Sequence, residues 1–225
     1  MRKILSFLLC LLLLVPMGAS AAEEKRYVAL TIEGELTPLA VRELLAGLDR
    51  RGIRATFFLT GADLAQNPDL GAQLGERGHE VGIRTDCRRG GALLSRREIA
   101  GEIALVRNRL PGNCPVRFLR PREGCTDALE QVAGAFDLAI GDWSLDPAAA
   151  GLDASALGGG FLSRVRDGDV LRISIRPGNC QWALNMAELL KKEGFTPVTL
   201  SELARLRGIR LHPGRHYRFF PPQTG

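Results

Sequence analysis

The chain of 225 residues carries 30 basic and 25 acidic side chains, and its net charge is +5. Such a weak excess of positive charge is not typical of a nucleic-acid-binding protein, so we predict no nucleic-acid partner. The length is sufficient for one large α/β domain and short for two, which predicts a single hydrophobic core.

The first residues are typical of a secretion signal. Arg2 and Lys3 precede an apolar run from Ile4 to Val15, and Ala19-Ser20-Ala21 offers a small-x-small cleavage site. A membrane anchor is the alternative, but the apolar run is shorter than the roughly 20 residues that span a bilayer. We therefore predict a signal peptide over residues 1–21, a mature chain without a stable transmembrane segment, and a secreted or cell-surface location.

Downstream of this signal, short apolar strands alternate with amphipathic helices. Strands are predicted at Tyr27–Thr31, Ala55–Leu59, Glu80–Ile83, Val116–Leu119, Leu138–Ile140, Val170–Ile175 and Pro197–Thr199. Helices are predicted at Pro38–Arg51, Asp63–Arg77, Ser95–Arg109, Thr126–Ala135, Leu157–Arg166, Gln181–Glu193 and Ser201–Arg207. Strand–helix units in strict alternation require parallel strands with helical crossovers. A closed barrel and an open doubly wound sheet share this local pattern, so the alternation does not separate them.

The alternation predicts one domain over residues 22–207, followed by a tail over residues 208–225. The tail is rich in proline and lacks periodicity, which predicts an irregular segment. His212 and His216 within it have ligand-like spacing, but a lone pair in an irregular segment is usually a surface feature. In parallel β/α architectures the functional side chains lie at the carboxyl ends of the strands. Here these positions are Glu33–Glu35, Thr60, Arg84–Arg88, Arg120–Gly124, Asp142–Asp146 and Ser174.

Five segments, in order along the chain, resemble the motifs of one enzyme family. They are Gly52–Gly61 (GIRATFFLTG), Gly78–Gly82 (GHEVG), Phe118–Gly124, Trp143–Pro147 and Val198–Leu203. Together they are similar to the polysaccharide deacetylases, the carbohydrate esterase family 4 that shares the NodB homology domain. The resemblance extends from Tyr27 to Leu203 and implies a distorted seven-stranded parallel β/α barrel.

The resemblance also assigns active-site positions. Members of the family carry two aspartates after the first strand, a general base and a metal ligand, and these fall on Glu33 and Gly34. The two histidine metal ligands fall on Arg84 and Arg88, and the histidine general acid falls on Ser174. The family would use a divalent metal such as Zn²⁺. Because glycine has no donor atom and arginine is permanently protonated, we predict that this metal site is lost and that the chain binds no cofactor.

These replacements bear directly on activity. A metal ion stabilises a developing oxyanion by several kcal/mol, and a positioned general acid contributes roughly 10²- to 10⁴-fold in rate. Losing both should abolish the family's reaction. Arg120, which in the family holds the catalytic aspartate, is retained and is expected to pair with Glu33.

The signal and the resemblance together predict an exported protein of this family that is associated with cell-wall glycan, either peptidoglycan or a chitin-like polymer. The replaced metal ligands and general acid predict that it lacks metal-dependent N-deacetylase activity. In the first hypothesis the chain binds glycan: Trp143 offers an apolar face to a sugar ring. Hydrogen bonds would come from Glu33, Asp146 and Ser174. The alternative for Trp143 is that it only packs the barrel mouth. An active carbohydrate deacetylase with a non-standard site is a further alternative.

A second hypothesis assigns the basic residues at the strand ends to an anion such as a phosphate or a peptide carboxylate, because guanidinium groups bind these bidentately. These residues are Arg84, Arg88, Arg120 and Arg122. The alternative is internal neutralisation, which the nearly equal numbers of opposite charges favour. The neutralising residues would be Glu33, Glu35, Asp86 and Glu123.

A third hypothesis builds a new zinc site from cysteines in the strand-end loops, with His79 or Glu33 as a further ligand. These cysteines are Cys87, Cys125 and Cys180. Disulfides are the favoured alternative in an exported protein. The mature chain holds four cysteines, and their connectivity is not readable from the sequence. The fourth, Cys114, starts its strand at the opposite end and is the one expected to be unpaired or paired last.

Overall fold

The computed structural model describes residues 25–86, 88–89, 92–122, 124–149 and 159–222. The predicted signal peptide over residues 1–21 lies outside these ranges. Within them, no helix combines the length and the apolar character needed to cross a membrane.

The described residues form alternating strands and helices. The strands are β1 (Arg26–Gly34), β2 (Thr56–Leu59), β3 (Glu80–Thr85), β4 (Arg88–Arg89), β5 (Ala92–Leu93), β6 (Val116–Pro121), β7 (Ala139–Gly141), β8 (Val170–Ile175), β9 (Phe195–Val198) and β10 (His216–Tyr217). The helices are α1 (Pro38–Arg51), α2 (Gly61–Gln66), α3 (Leu70–Glu76), α4 (Arg96–Arg107), α5 (Asp127–Ala135), α6 (Gly159–Leu162), α7 (Cys180–Lys192) and α8 (Leu200–Leu206).

Most of the strands form one curved sheet. Its hydrogen-bonded order is β10-β7-β6-β3-β2-β1-β8, and β9 pairs with the first half of β1. Every strand pair that the structure describes in this sheet is parallel, as helical crossovers between successive strands require. All seven predicted strands are present, and the predicted distorted seven-stranded parallel β/α barrel is confirmed.

Alternate residues of each strand point to opposite sides of the sheet. On β1, Leu30 and Ile32 are buried in the main hydrophobic core between the sheet and the helices. The alternate residues of β1, such as Ala29, face the barrel interior. Phe58 and Phe118 belong to a smaller core there, and α8 packs against this core at the floor of the barrel. The interior parity of β1 continues to Glu33, so this strand carries a carboxylate into the barrel mouth.

Two predicted helices differ in the structure. The predicted helix Asp63–Arg77 is divided into α2 and α3. The cause is Pro68, which lacks an N–H and disfavours a helical conformation at Asn67, where φ is −134°. Of the predicted helix Leu157–Arg166, only α6 is helical among the described residues. The antiparallel pair of β4 and β5 is an element that the sequence patterns did not predict.

The tail beyond residue 207 carries a short strand, β10, that the sequence patterns did not predict. β10 pairs with β7, and the Phe220 N–H donates to the Gly168 carbonyl at 2.8 Å just before β8. Nearer the barrel mouth, the Arg172 N–H donates to the Leu145 carbonyl at 3.0 Å. These contacts together close the barrel between β7 and β8. Gly168 has a φ of +91°, and a Cβ there would overlap the Phe220 carbonyl oxygen. Apart from β10, the described part of the tail forms no helix or strand, and the pairing of β10 was not predicted because proline content does not reveal an open sheet edge elsewhere in the fold.

The motif Gly78–Gly82 forms part of the floor of the barrel. His79 Nδ1 accepts a backbone N–H just before β2, and burial lowers the pKa of His79 to about 4, so the ring is neutral. The Glu80 carboxylate accepts from Thr56 Oγ1 at 2.7 Å and from Ser201 N at 3.1 Å. Glu80 therefore connects β2, β3 and the first turn of α8, which gives this motif a structural role at the end of the barrel opposite the mouth.

We expect Phe220→Ala to lower the free energy of unfolding by about 3–5 kcal/mol, because the ring is fully buried in the interior core. Denaturant titration followed by circular dichroism measures the change. Arg218→Ala, an exposed position on the same segment, is the matched control and should change stability by less than about 0.5 kcal/mol. Equal stability of the wild type and Phe220→Ala would show that the tail does not hold the barrel closed.

Candidate functional site at the barrel mouth

The strand ends bring a cluster of charged side chains into the barrel mouth. Glu33 on β1, Arg84 on β3, Arg120 on β6 and Arg172 on β8 all have the interior parity of their strands. Arg84 and Arg120 are paired in register on neighbouring strands. Because like charges on adjacent strands repel each other, this arrangement requires a counter-charge, and Glu33 supplies it. These four residues are called the mouth cluster below.

Arg120 lies at the centre of the mouth cluster and is fully buried. Its Nε donates to the Gly141 carbonyl at 2.6 Å, and its Nη2 donates to the Asp142 carbonyl at 3.0 Å. Its Nη1 donates to Thr31 Oγ1 at 2.9 Å and to Glu33 Oε2 at 3.3 Å. One side chain thus links β1, β6 and β7. Burial lowers the pKa of Arg120 to about 10, which leaves the guanidinium protonated at neutral pH.

The guanidinium of Arg120 rests on an aromatic ring, with its Cζ 3.8 Å from the Phe58 ring centroid. The ring fits because two neighbouring positions are glycine. A Cβ at Gly82 would lie 2.6 Å from the ring, and a Cβ at Gly141 would lie 3.0 Å from it. Phe58 and Gly82 both belong to motif segments identified in the sequence, so those motifs build the support beneath Arg120.

Glu33 is 1% exposed and is enclosed by three arginines. Arg172 approaches Oε1 through Nη2 at 2.7 Å and through Nε at 2.9 Å, and Arg84 Nε lies 3.7 Å from the same oxygen. Arg120 occupies the other carboxylate oxygen. Burial raises the pKa of Glu33, but Arg120, Arg84 and Arg172 together lower it by more, so the net pKa lies below the ordinary value. A carboxylate held in this way is ionised, has almost no contact with solvent and is a weak proton acceptor.

Arg172 is a site residue that the sequence patterns did not predict. Besides Glu33, its Nη1 contacts Asp146 Oδ2 at 3.3 Å, and its guanidinium lies 4.2 Å from the Trp143 ring centroid. The available signal was its place on β8, where it is the one charged residue of a strand that is otherwise apolar except for Ser174, and it shares a face with Ser174. None of the motif segments covers this position.

Beside the mouth cluster lie Trp143, Asp146 and Ser174. Much of the surface of these side chains is covered by contacts with other residues of the chain. The half-buried Trp143 ring is stacked by Arg172 and packs against the interior core. Asp146 Oδ1 accepts the Ala148 N–H at 2.9 Å. Ser174 is half-buried and is paired in register with Glu33 on β1. One part of the Trp143 ring therefore packs the mouth, and only the remainder is open to a ligand.

The residues at the family's metal positions do not fit a divalent cation. Gly34 has a φ of +117°, and a Cβ there would lie 2.7 Å from Ile175 N and closer still to its carbonyl oxygen, so a side chain does not fit. Arg84 and Arg88 have no lone pair to donate and repel a cation. The Arg88 backbone lies on β4, and its side chain lies outside the described residues.

The described arginines of the mouth form ion pairs within the protein. Glu33 meets two of the four arginines that the anion hypothesis named, and Arg122 Nε pairs with Asp86 Oδ1 at 2.7 Å. The Arg88 side chain and Glu123 lie outside the described residues. Each of the three guanidinium groups of this set that the structure describes thus has an internal ion pair, and Arg84 and Arg120 share the single carboxylate of Glu33.

Among the described residues, Cys125 and Cys180 of the zinc hypothesis do not belong to one group of metal-ligating side chains. The Cys180 thiol is buried 4.0 Å from the Ala40 carbonyl on α1, and Cys114 lies before β6 at the floor of the barrel; both are free thiols. The favoured alternative of a disulfide was wrong for Cys180, whose thiol is free; Cys114 lies at the opposite end of the strands, so one S–S bond does not join the two. Cys87 lies outside the described residues, and Cys125 lies at the rim of the mouth before α5.

The chain is similar to a curated cell-wall enzyme, the peptidoglycan-N-acetylglucosamine deacetylase PgdA of Listeria monocytogenes. The two are 28% identical over 212 residues, which cover 90% of this chain and 43% of the relative. The chain therefore spans less than half the length of that relative.

Two solved structures illustrate the likeness of fold. The structure described as T48 deacetylase with substrate gives a TM-score of 0.72 at 20% identity and covers 86% of this chain and 96% of that chain. BA3943, described as a CE4 family pseudoenzyme from Bacillus anthracis, gives a TM-score of 0.69 at 20% identity and covers 87% of this chain and 70% of that chain. A mutant of BA3943 is described as having restored enzymatic activity. At these identities the likeness concerns the fold alone.

A family model described as polysaccharide deacetylase matches residues 20–138, which is more than half of the chain. The matched stretch contains β1 to β6 and the motif segments around Phe58, Gly82 and Arg120. The chain belongs to the polysaccharide deacetylase family.

Proposed function

We propose that this chain is an exported member of the family that binds cell-wall glycan and lacks the family's metal-dependent N-deacetylase activity. The observation that carries the proposal is the state of Glu33, the carboxylate at the position of the general base. It is 1% exposed and bound by three arginines. A carboxylate in this state does not reach a water molecule at a substrate carbonyl and does not take its proton.

The other groups that amide hydrolysis needs are also missing from the family positions. Hydrolysis of an amide needs an activated water, stabilisation of an oxyanion and a proton for the leaving amine. Gly34 offers no metal ligand, and the Ser174 hydroxyl is a far weaker acid than an imidazolium group. Arg84 carries positive charge and so stabilises an oxyanion, but it activates no water.

The assignment to glycan is supported by the family and by the aromatic side chain at the mouth. The Listeria relative is named for N-acetylglucosamine of peptidoglycan, and we infer peptidoglycan or a chitin-like polymer as the ligand. Trp143 is half-buried, and Arg172 holds its ring in place. A fixed aromatic surface beside polar groups suits the apolar face of a sugar ring. The predicted signal peptide over residues 1–21 supports export.

The purified chain from Ala22 onward is expected to release no acetate from N-acetylated chito-oligosaccharides or peptidoglycan, with or without added Zn²⁺. The physical reason is that Glu33 is enclosed and the metal ligands are absent from the family positions. Acetate release is measured directly, with an active family member as the positive control. Hydrolysis that is lost on adding a chelator would contradict the proposal.

A ligand-restoring variant, Gly34→Asp combined with Arg84→His and Arg88→His, sharpens the same test. It is expected to remain inactive, because a side chain at residue 34 overlaps the backbone of β8 at Ile175. The double variant without the Gly34 change is its matched control for folding. Restored activity of the triple variant would show that the β1–β8 backbone adjusts and that our steric argument is wrong.

Trp143→Ala is expected to weaken retention of the chain on purified peptidoglycan by about tenfold, because loss of ring stacking costs roughly 1–1.5 kcal/mol. Co-sedimentation at several glycan concentrations measures the affinity. Arg205→Ala, exposed on α8 at the floor of the barrel, is the control and should bind as the wild type does. Failure of the wild type to sediment with either peptidoglycan or chitin would count against glycan binding.

Glu33→Gln is expected to lower the free energy of unfolding at pH 7 by about 3–5 kcal/mol, because it leaves buried guanidinium groups without a counter-charge. The folded-state pKa of Glu33 lies below its ordinary value of 4.5, so its stabilisation is present above pH 4.5 and is lost as the pH falls through the folded pKa. The difference in free energy of unfolding between the wild type and Glu33→Gln should therefore become smaller in acid. Denaturation at pH 7 and pH 3 measures it, with the exposed Glu35→Gln as control. If this difference in free energy of unfolding does not change with pH, the ionised Glu33 carboxylate does not stabilise the fold as proposed.

A further inference from the structure

Cys125, Glu130 and His216 converge on the outer rim of the barrel mouth. The Cys125 Sγ, a Glu130 carboxylate oxygen and a His216 ring nitrogen all lie within 4.8 Å of one another, and all three residues are exposed. Among the described residues this is the one convergence of three His, Cys, Asp or Glu side chains at such distances. These residues are called the rim triad below.

The fold assembles the rim triad from two distant parts of the chain. Cys125 directly precedes the N-cap residue Thr126 of α5, and Glu130 lies in the first turn of that helix. His216 belongs to β10, which pairs with β7 and so places the imidazole at the same rim. The triad therefore depends on the strand that the tail adds to the sheet.

Asp142 fixes the orientation of the His216 ring. Asp142 Oδ2 lies 2.7 Å from His216 Nδ1, and Glu130 Oε1 lies 3.3 Å from Nε2. In a neutral ring that donates from Nδ1 to Asp142, Nε2 presents its lone pair to the Glu130 carboxylate, and two electron-pair donors face each other. A cation between them turns this repulsion into attraction. A carboxylate on the second ring nitrogen is also the usual partner of a metal-binding histidine.

We propose that the rim triad binds Zn²⁺ through Cys125 Sγ, His216 Nε2 and a Glu130 carboxylate oxygen, with water as the fourth ligand. Thiolate, imidazole and carboxylate are the donor types that zinc takes in proteins. Tetrahedral bonds of about 2.0–2.3 Å place ligand atoms roughly 3.5 Å apart, so the exposed side chains need to close by about 1 Å. On binding, the thiol releases its proton to solvent, and the zinc bond replaces its weak contact with the Thr126 carbonyl at 3.8 Å.

The rim triad differs from the family's metal positions in its residues and in its place. The family positions lie on β1, β3 and β4, whereas the triad lies outside the ends of β6 and β7. Asp142 connects the triad to the mouth cluster, because its carbonyl oxygen accepts from Arg120 while its carboxylate meets His216. The zinc site does not depend on whether the mouth binds glycan.

Metal titration of the whole mature chain tests this inference. Protein from Ala22 to Gly225 is freed of metal, kept reduced with a non-thiol reductant, and titrated with Zn²⁺ in a calorimeter. A parallel titration with Co²⁺, which takes the same tetrahedral ligands, is followed by absorption spectroscopy. We expect one equivalent of Zn²⁺ to bind and a thiolate-to-Co²⁺ charge-transfer band to appear.

Single substitutions test whether the metal binds at the rim triad and not at other thiols or histidines. Cys125→Ser is expected to remove the charge-transfer band, and Asp142→Asn, which keeps all three ligands, should weaken Zn²⁺ binding by about 10- to 100-fold. His216→Ala should remove stoichiometric binding. Cys114→Ser and His212→Ala are matched controls that should bind as the wild type does. Circular dichroism and thermal unfolding establish that each variant is folded.

Three results would overturn the inference. The first is the absence of stoichiometric Zn²⁺ binding by the reduced wild type. The second is a charge-transfer band that persists in Cys125→Ser or disappears equally in Cys114→Ser. The third is a peptide map of non-reduced protein that finds Cys125 in a disulfide.

Discussion

The buried contact between Arg120 and Glu33 is the interaction on which the barrel mouth depends. Removing a carboxylate and a guanidinium from water costs several kcal/mol per ion, and their attraction repays this only if the remaining polar atoms are also bonded. Arg120 meets that condition with four hydrogen bonds and with the Phe58 ring beneath it. Arg84 and Arg172 complete the shell around Glu33. The mouth is consequently an ion cluster in which three guanidinium groups share one carboxylate, and these contacts hold the strand ends together.

The family motifs that the chain keeps are those that build the barrel. Glu80 connects the floor to α8, Gly82 leaves room for the Phe58 ring, and Arg120 joins strands at the mouth. Gly34, by contrast, differs from the family pattern at a strand end, where a side chain adds little to the hydrophobic core. A glycine at this position removes a metal-ligand atom without removing a side chain from the hydrophobic core. Fold and reaction can therefore diverge within one family.

The sequence revealed the strands because each buried strand leaves a strong local signal of apolar residues, and all seven predicted strands exist. It did not reveal β10, whose pairing depends on an open edge of β7 about 75 residues earlier in the chain. Contacts in the site that depend on residues far apart in sequence were missed for the same reason. The contact of Glu33 with Arg120 was expected from the resemblance, whereas Arg172 lies outside every motif and gains its importance from the register of β8 against β1. The proximity of Cys125 to His216 likewise follows from tertiary pairing and has no local signature.

The position of β1 in the sheet has a consequence for how the chain can be divided. β1 pairs with β2, β8 and β9, and two of these partners follow residue 138, where the family-model match ends. The matched stretch is thus a unit of sequence likeness and not a unit of folding. A fragment that stopped there would expose unpaired backbone along β1 and leave Glu33 without Arg172. Exposed strand edges pair with other chains, so the backbone of β1 that β8 and β9 cover in the intact barrel would become a surface for aggregation in the fragment.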